Sequence, residues 1–170
     1  MKKAGISRYH HNIETSPRFF TKIVTTHTFK ERLDTIKAAK EVGLEVCSGG
    51  IIGMGETWRD RIEVALLLKE LNVDSVPINI LVPIDGTPLA GTNKISCTDA
   101  IKTIAIFRII LKDKVVKLAA GRESVLKDFQ AAAFMSGANG MLIGGYLTVR
   151  GREIAEDHKL IKEIKETWKR

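Results

Sequence analysis

Cysteine is scarce in this chain: Cys47 and Cys97 are the two in 170 residues. Two cysteines make no disulfide framework, so the fold must rest on a hydrophobic core, and a reducing cytoplasm is the expected setting. No apolar run approaches about 18 residues, which excludes a membrane-spanning helix. Lys2 and Lys3 are followed by no hydrophobic stretch, so they do not open a secretory signal. Aromatics make up only 6% of the chain and do not alternate with basic residues. The net charge of +7 therefore reads as a solvated basic face, not a nucleic-acid groove. What is present is 44% apolar residues with charges of both signs, the composition of a globular protein. The length is that of one domain with a real core, residues 1–170.

The stretch from Val46 to Glu56 organises the rest. An apolar run leads into it, four glycines follow at 49, 50, 53 and 55, and Thr57-x-x-Asp60 signals a helix start. That order predicts strand, glycine-rich turn, helix. Such a turn lets a ligand approach the main chain closely, and a helix N-terminus behind it favours negative charge. The spacing fits neither a dinucleotide fingerprint nor a Walker loop. A ligand loop and a tight structural turn both fit it, and Cys47 is either a functional thiol or an inert buried one.

In order, residues 6–13 read as a strand that Pro17 ends, and 18–27 as a connection. Thr28 to Glu31 forms a capping box for a helix ending near Gly43. Helices are expected at about 58–71, 96–111, 124–135 and 153–168, and strands at 75–82, 115–119 and 138–143. Strand and helix alternate with a repeat of about 30 residues, which implies a parallel sheet with right-handed crossovers. Asn12, Glu14, Cys47, Asn79 and Arg122 each lie in or just after a strand. In a parallel barrel such positions meet at one mouth. Five strands do not close an eight-stranded barrel, so the sheet is open or belongs to something larger.

Six segments together resemble biotin synthase. They are Tyr9-His-His-Asn-Ile-Glu-Thr-Ser-Pro17, Cys47-Ser-Gly-Gly-Ile-Ile-Gly-Met-Gly-Glu-Thr57, Ser75-Val-Pro-Ile-Asn-Ile-Leu81, Gly86-Thr-Pro-Leu89, Ala120-Gly-Arg-Glu123 and Gly137-Ala-Asn139. Each is weak alone. Their order and spacing across the whole chain are specific.

The resemblance implies an α/β fold: a partial (β/α)8 TIM barrel contributing strands four to eight with their helices, as one parallel sheet. Residues 75–168 would correspond to the biotin and thiamin synthesis-associated part. The activity implied is radical S-adenosylmethionine-dependent insertion of sulfur into dethiobiotin to give biotin, using a [4Fe–4S] and a [2Fe–2S] cluster. The family's Cys-x-x-x-Cys-x-x-Cys loop, which holds the first cluster, has no counterpart in these residues. The expectation is therefore that this chain alone is inactive and associates with a missing N-terminal half, the full-length enzyme being a homodimer.

By the same resemblance, Cys47 and Arg122 ligate the [2Fe–2S] cluster. A guanidinium normally only donates hydrogen bonds, so on residue chemistry alone Arg122 reads as a salt-bridge partner. S-adenosylmethionine would contact Asn12, Glu14, Gly49, Gly50, Gly53, Gly55 and Glu56. Dethiobiotin would contact His10, Asn12 and Asn79. His10 stands where many members have Asn, which leaves room for a related radical enzyme with another small substrate. A non-catalytic half-barrel is the reading from a different class.

Overall fold

The computed structural model describes residues 2–145 and 151–168. Its centre is one parallel sheet built from β1 (Arg8–His10), β2 (Glu45–Cys47), β3 (Gly50–Ile52), β4 (Ser75–Ile80), β5 (Val115–Leu118) and β6 (Gly140–Met141). The spatial order is β1-β2-β4-β5-β6, with β3 also paired to β4. The helices are α1 (Pro17–Ile23), α2 (Phe29–Glu41), α3 (Trp58–Glu70), α4 (Cys97–Leu111), α5 (Arg122–Leu126), α6 (Gln130–Met135) and α7 (Ile154–Thr167). Among the described residues no helix is long and apolar enough to cross a membrane.

Strand alternation explains the layering. Val46, Val76, Ile78, Ile80, Val116 and Leu118 are all buried on one face of the sheet. They join Ile36, Ala39, Val64, Leu68, Ile104, Phe107 and Leu111 of the helices in one core. The alternate positions, His10, Cys47, Ser75, Pro77, Asn79 and Lys117, leave the sheet on the other face. The core thus lies between sheet and helices, and the opposite face is free for chemistry.

The helices begin where the sequence signals them. Thr28 with Glu31, and Thr57 with Asp60, both form reciprocal capping boxes. Three expectations need correcting. The 18–27 connection is largely helix: Ser16 accepts a hydrogen bond from the Phe19 amide, and Pro17 occupies the first helical position, where no N–H is needed. The 124–135 helix is two short ones, broken by a 3-10 turn at Lys127–Phe129 where Lys127 takes φ 47°.

The organising stretch, too, is less turn than strand. Cys47 pairs with Ser75, and Gly50 with Ile78. Both pairs are 28 residues apart, so the register is unchanged across the gap and β2 and β3 lie on one line. The gap falls at Ser48 and Gly49 because the neighbouring strand carries Pro77, which has no N–H to offer the ladder. A Cβ at Gly49 would lie 2.0 Å from the Pro77 carbonyl oxygen. Glycine here permits strand contact. The true turn is confined to Gly53–Gly55, at φ 90° and 99°.

Candidate functional site

The free face of the sheet carries a row of functional side chains. His10 stands opposite Cys47 in the β1–β2 register, and Cys47 opposite Ser75. The Cys47 thiol is buried and its Sγ lies 3.7 Å from Ser75 Oγ. Burial pushes the thiol up, but His10, Ser75 and the Lys117 charge outweigh it, so Cys47 titrates below the ordinary thiol range. Its interaction with Cys47 raises His10 against the cost of burial. Lys117, one residue pair further along, stands opposite Pro77 and Gly140. Its charge is felt at both Cys47 and His10. A thiol held below its ordinary range among hydrogen-bond donors and cations suits the sulfur ligand of an iron–sulfur group.

Asn12 sits beside a bulge. From the His10–Cys47 pair to the Glu14–Gly50 bridge is four steps along one strand and three along the other. The register holds through Asn12, because the Ile13 amide donates to the Gly49 carbonyl, so the extra residue falls at Ile13; Asn12 Oδ1 accepts a hydrogen bond from the Gly49 amide at 3.0 Å. Glu14 follows at φ 67°. Its carboxyl is raised mainly by burial, against the pull of Arg32. Asn79 is a brace between neighbouring strand ends. Its Nδ2 donates to the Gly50 carbonyl at 3.2 Å, and its Oδ1 accepts from the Ala120 amide at 3.3 Å. Each of these amide atoms retains hydrogen-bonding capacity for a ligand.

The second half of the glycine stretch is self-contained. The Glu56 carboxylate accepts the amides of Gly53 and Met54, at 2.7–3.1 Å, and pairs with Arg61 at 2.7 Å. An anionic ligand at these amides would have to displace Glu56. The N-terminus of α3 is likewise occupied, by Asp60. Burial would raise that carboxyl, but Ser16, the Thr57 hydroxyl and amide, and Arg18 bring it down to about 2. The stability this gives is fully present above the ordinary Asp value of 3.8 and is lost as pH falls through about 2. Between those limits the wild type should lose more stability in acid-unfolding measurements than Asp60→Asn. Parallel curves would show that Asp60 is not the group responsible.

Arg122 is not in the Cys47 row. It opens α5, is fully buried, and its Nη2 meets Asp157 Oδ2 of α7 at 2.6 Å. Its Nη1 donates to Gln130, and Glu123 lies 3.2 Å from Nη2. A guanidinium so placed is the core of a salt bridge, and this position gives no support to a ligand role.

Two residues of the site escaped the sequence reading. Arg32 on α2 donates to the Asn12 carbonyl at 3.1 Å and to His27 Nε2 at 2.8 Å, and meets Glu14 at 3.2 Å. It fixes the bulge that presents Asn12. Lys117 was visible in principle, because strict alternation along 115–118 puts its side chain on the face opposite Val116 and Leu118.

Residues 77–165, more than half of the chain, match the Biotin and Thiamin Synthesis associated domain. The chain belongs to this family. Residues 1–68 match the Radical SAM superfamily. The chain is 58% identical over 167 residues to the biotin synthase of Thermotoga neapolitana, covering 98% of this chain and 60% of that protein. It is 54% identical over 164 residues to the biotin synthase of Carboxydothermus hydrogenoformans, covering 96% and 50%. This member of the Biotin and Thiamin Synthesis associated family thus spans about half to three-fifths of the length of these relatives. Among solved structures, it superposes on methylornithine synthase (PylB) with a TM-score of 0.77 at 20% identity, covering 98% of this chain and 52% of that one. The hydrogenase maturase HydG gives 0.75 at 17%, covering 96% and 40%. The expected partial (β/α)8 barrel is the fold observed.

Proposed function

We propose that this chain supplies the S-adenosylmethionine- and dethiobiotin-facing part of a biotin synthase. The observation that carries the reading is the free-face row. A buried thiol that titrates below its ordinary range shares one face of the sheet with two asparagines with spare hydrogen-bonding capacity, in a chain 58% identical to a biotin synthase. Cys47 would hold an iron of the [2Fe–2S] cluster, which when bound supplies the sulfur for insertion. Asn12 and Asn79 would orient the ureido group of dethiobiotin by matching its donors and acceptors. Glu14, braced by Arg32, would accept hydrogen bonds from ribose hydroxyls. Gly49 and Gly50 keep the floor of the site free of side chains.

Among the described residues no group of three or more His, Cys, Asp or Glu is placed to share a metal ion. The remaining cluster ligands would come from the preceding part of the relatives' length. An exposed edge supports such an association. β1 is an edge strand, and beside it Tyr9, Ala38, Ala39, Val42 and Leu44 line an apolar groove of about 680 Å³. An unpaired strand edge above apolar surface seeks a partner. A homodimer of completed barrels is the assembly we propose.

The test is growth of a biotin-auxotrophic bacterium carrying this coding region alone or fused to the amino-terminal part of the Thermotoga neapolitana relative. Growth with the fusion only is the expected result. Growth with neither, despite soluble protein, would remove the biotin assignment and favour another small substrate, for which His10 is the residue to examine.

A further inference from the structure

Residues 82–94 join β4 to α4 and contain neither helix nor strand. A strand-to-helix connection usually takes about 2–6 residues, and a longer one without regular structure is most often a functional loop. This one leaves the sheet just beyond Asn79, at the strand ends where Asn12 and the Gly53–Gly55 turn also lie. Both of its feet stand at one glycine. The Leu81 amide donates to the Ile52 carbonyl at 2.9 Å. A Cβ on Gly53 would lie 3.1 Å from Ile95 Cγ2 and 3.8 Å from Leu81 Cβ. Close feet and a long span between them make an Ω-loop.

Between its feet the loop bonds only to itself. The Ile84 carbonyl accepts the Thr87 amide at 3.2 Å and the Thr87 hydroxyl at 2.7 Å. The Ala90 and Thr92 amides donate to the Thr87 and Leu89 carbonyls, each at 3.0 Å. Among the described residues no hydrogen bond or ion pair joins 82–94 to the rest of the protein. Pro83 and Pro88 fix their own φ and disfavour helical backbone at Val82 and Thr87. The tip is thus pre-shaped, and moving it as a unit breaks no bond to the body of the fold. At the tip Ile84 is 49% exposed, with Pro83, Pro88 and Leu89 as its apolar neighbours in sequence. A stiff, untied, apolar tip gains by covering something. It is also long enough. From foot to tip about six residues reach up to about 20 Å. The row from His10 to Lys117 crosses three strand spacings, about 15 Å.

We propose that residues 82–94 are a lid, which turns on its feet at Gly53 and lays Ile84 and Leu89 over a ligand held on the free face of the sheet. Closing such a site expels water and guards reactive intermediates from it. The proposal rests on the reading that this face holds S-adenosylmethionine.

The probe is S-adenosylhomocysteine, the unreactive demethylated form of that ligand, added at saturation to the purified 170-residue chain. The readout is amide hydrogen exchange. Without ligand, 82–94 should exchange quickly, while the Leu81 amide stays protected. With ligand, 82–94 should slow by about tenfold or more, as a segment does when its local opening is suppressed. Ile84→Ser should unfold in urea like the wild type, because the side chain is exposed, yet lose most of that slowing and release the ligand faster. Slowing at 12–14 and 49–55 with none at 82–94 would overturn the lid and leave the ligand reading in place. Equal slowing at 82–94 in wild type and Ile84→Ser would overturn it too, since the apolar tip would then cover nothing. No slowing anywhere would remove the ligand reading and the lid with it.

Discussion

Gly121→Ala is expected to cost about 3–5 kcal/mol of folding stability, the overpacking and left-handed backbone penalties combined. Gly121 connects β5 to α5 at φ 82°, and a Cβ there would stand 2.0 Å from the Ile80 carbonyl oxygen and 2.9 Å from its carbonyl carbon. Neither atom is the end of a flexible side chain. Both belong to the backbone leaving β4, in the middle of the sheet. A domain holds roughly 5–15 kcal/mol in total, so this one methyl removes a large share. The measurement is urea unfolding, with Gly86→Ala as the companion. Gly86 has nearly the same φ, 79°, but nothing within 4 Å of its would-be Cβ. Gly86→Ala should lose only about 1–2 kcal/mol, the backbone cost alone. Equal losses in both would show that the β4 backbone yields freely and that the contact is not limiting.

Asp157→Ala should cost about 3 kcal/mol, the low end of what a buried ion pair loses when one partner is removed. Asp157 is the fully buried residue of α7, and it is bound to the fully buried Arg122. Truncating it deprives a guanidinium in the core of its 2.6 Å carboxylate partner, with Glu123, at 3.2 Å, and Gln130 among the partners left. The loss should be local first, so protease cleavage within α7 should accelerate more than global unfolding. The double variant Arg122→Met/Asp157→Leu removes both charges and should recover most of the loss. A single variant within about 0.5 kcal/mol of wild type would mean that the arginine is satisfied without Asp157.

The sequence reading succeeded where local chemistry decides. Thr28 with Glu31 and Thr57 with Asp60 are self-contained, and both cap helices as expected. Alternating strands and helices carried the parallel order. The reading failed where the deciding partner is distant in the chain. Ser16-Pro17 reads equally well as the end of the preceding strand, with Ser16 a turn residue, and as the cap and first residue of a helix. Gly49 and Gly50 read as a turn because glycines cluster in turns. The reason for Gly49 is Pro77, on one neighbouring strand, and the reason for Gly50 is the Glu14 carbonyl oxygen, 2.4 Å from its would-be Cβ on the other side. Arg122 read as a salt bridge on its own chemistry and as a ligand only by resemblance; its salt-bridge partner, Asp157, lies 35 residues on, beyond what local sequence can name. Arg32 was invisible because one arginine on a polar helix face looks like any other.

Pro77 has a consequence for the chain before it folds. The segment Ser75–Ile80 is short, apolar and rich in β-branched residues, and it occupies the middle of the sheet. Exposed on a nascent or unfolded chain, such a segment stacks readily with copies of itself into fibrils, because every amide finds a carbonyl above and below. Proline denies one rung of that ladder in every copy. In the native sheet the missing rung is tolerated because Gly49 lets the strands close up beside it. Between two identical strands there is no glycine to do so. The same residue that interrupts β2 and β3 thus acts as a gatekeeper against aggregation, at the one place where the chain most needs it.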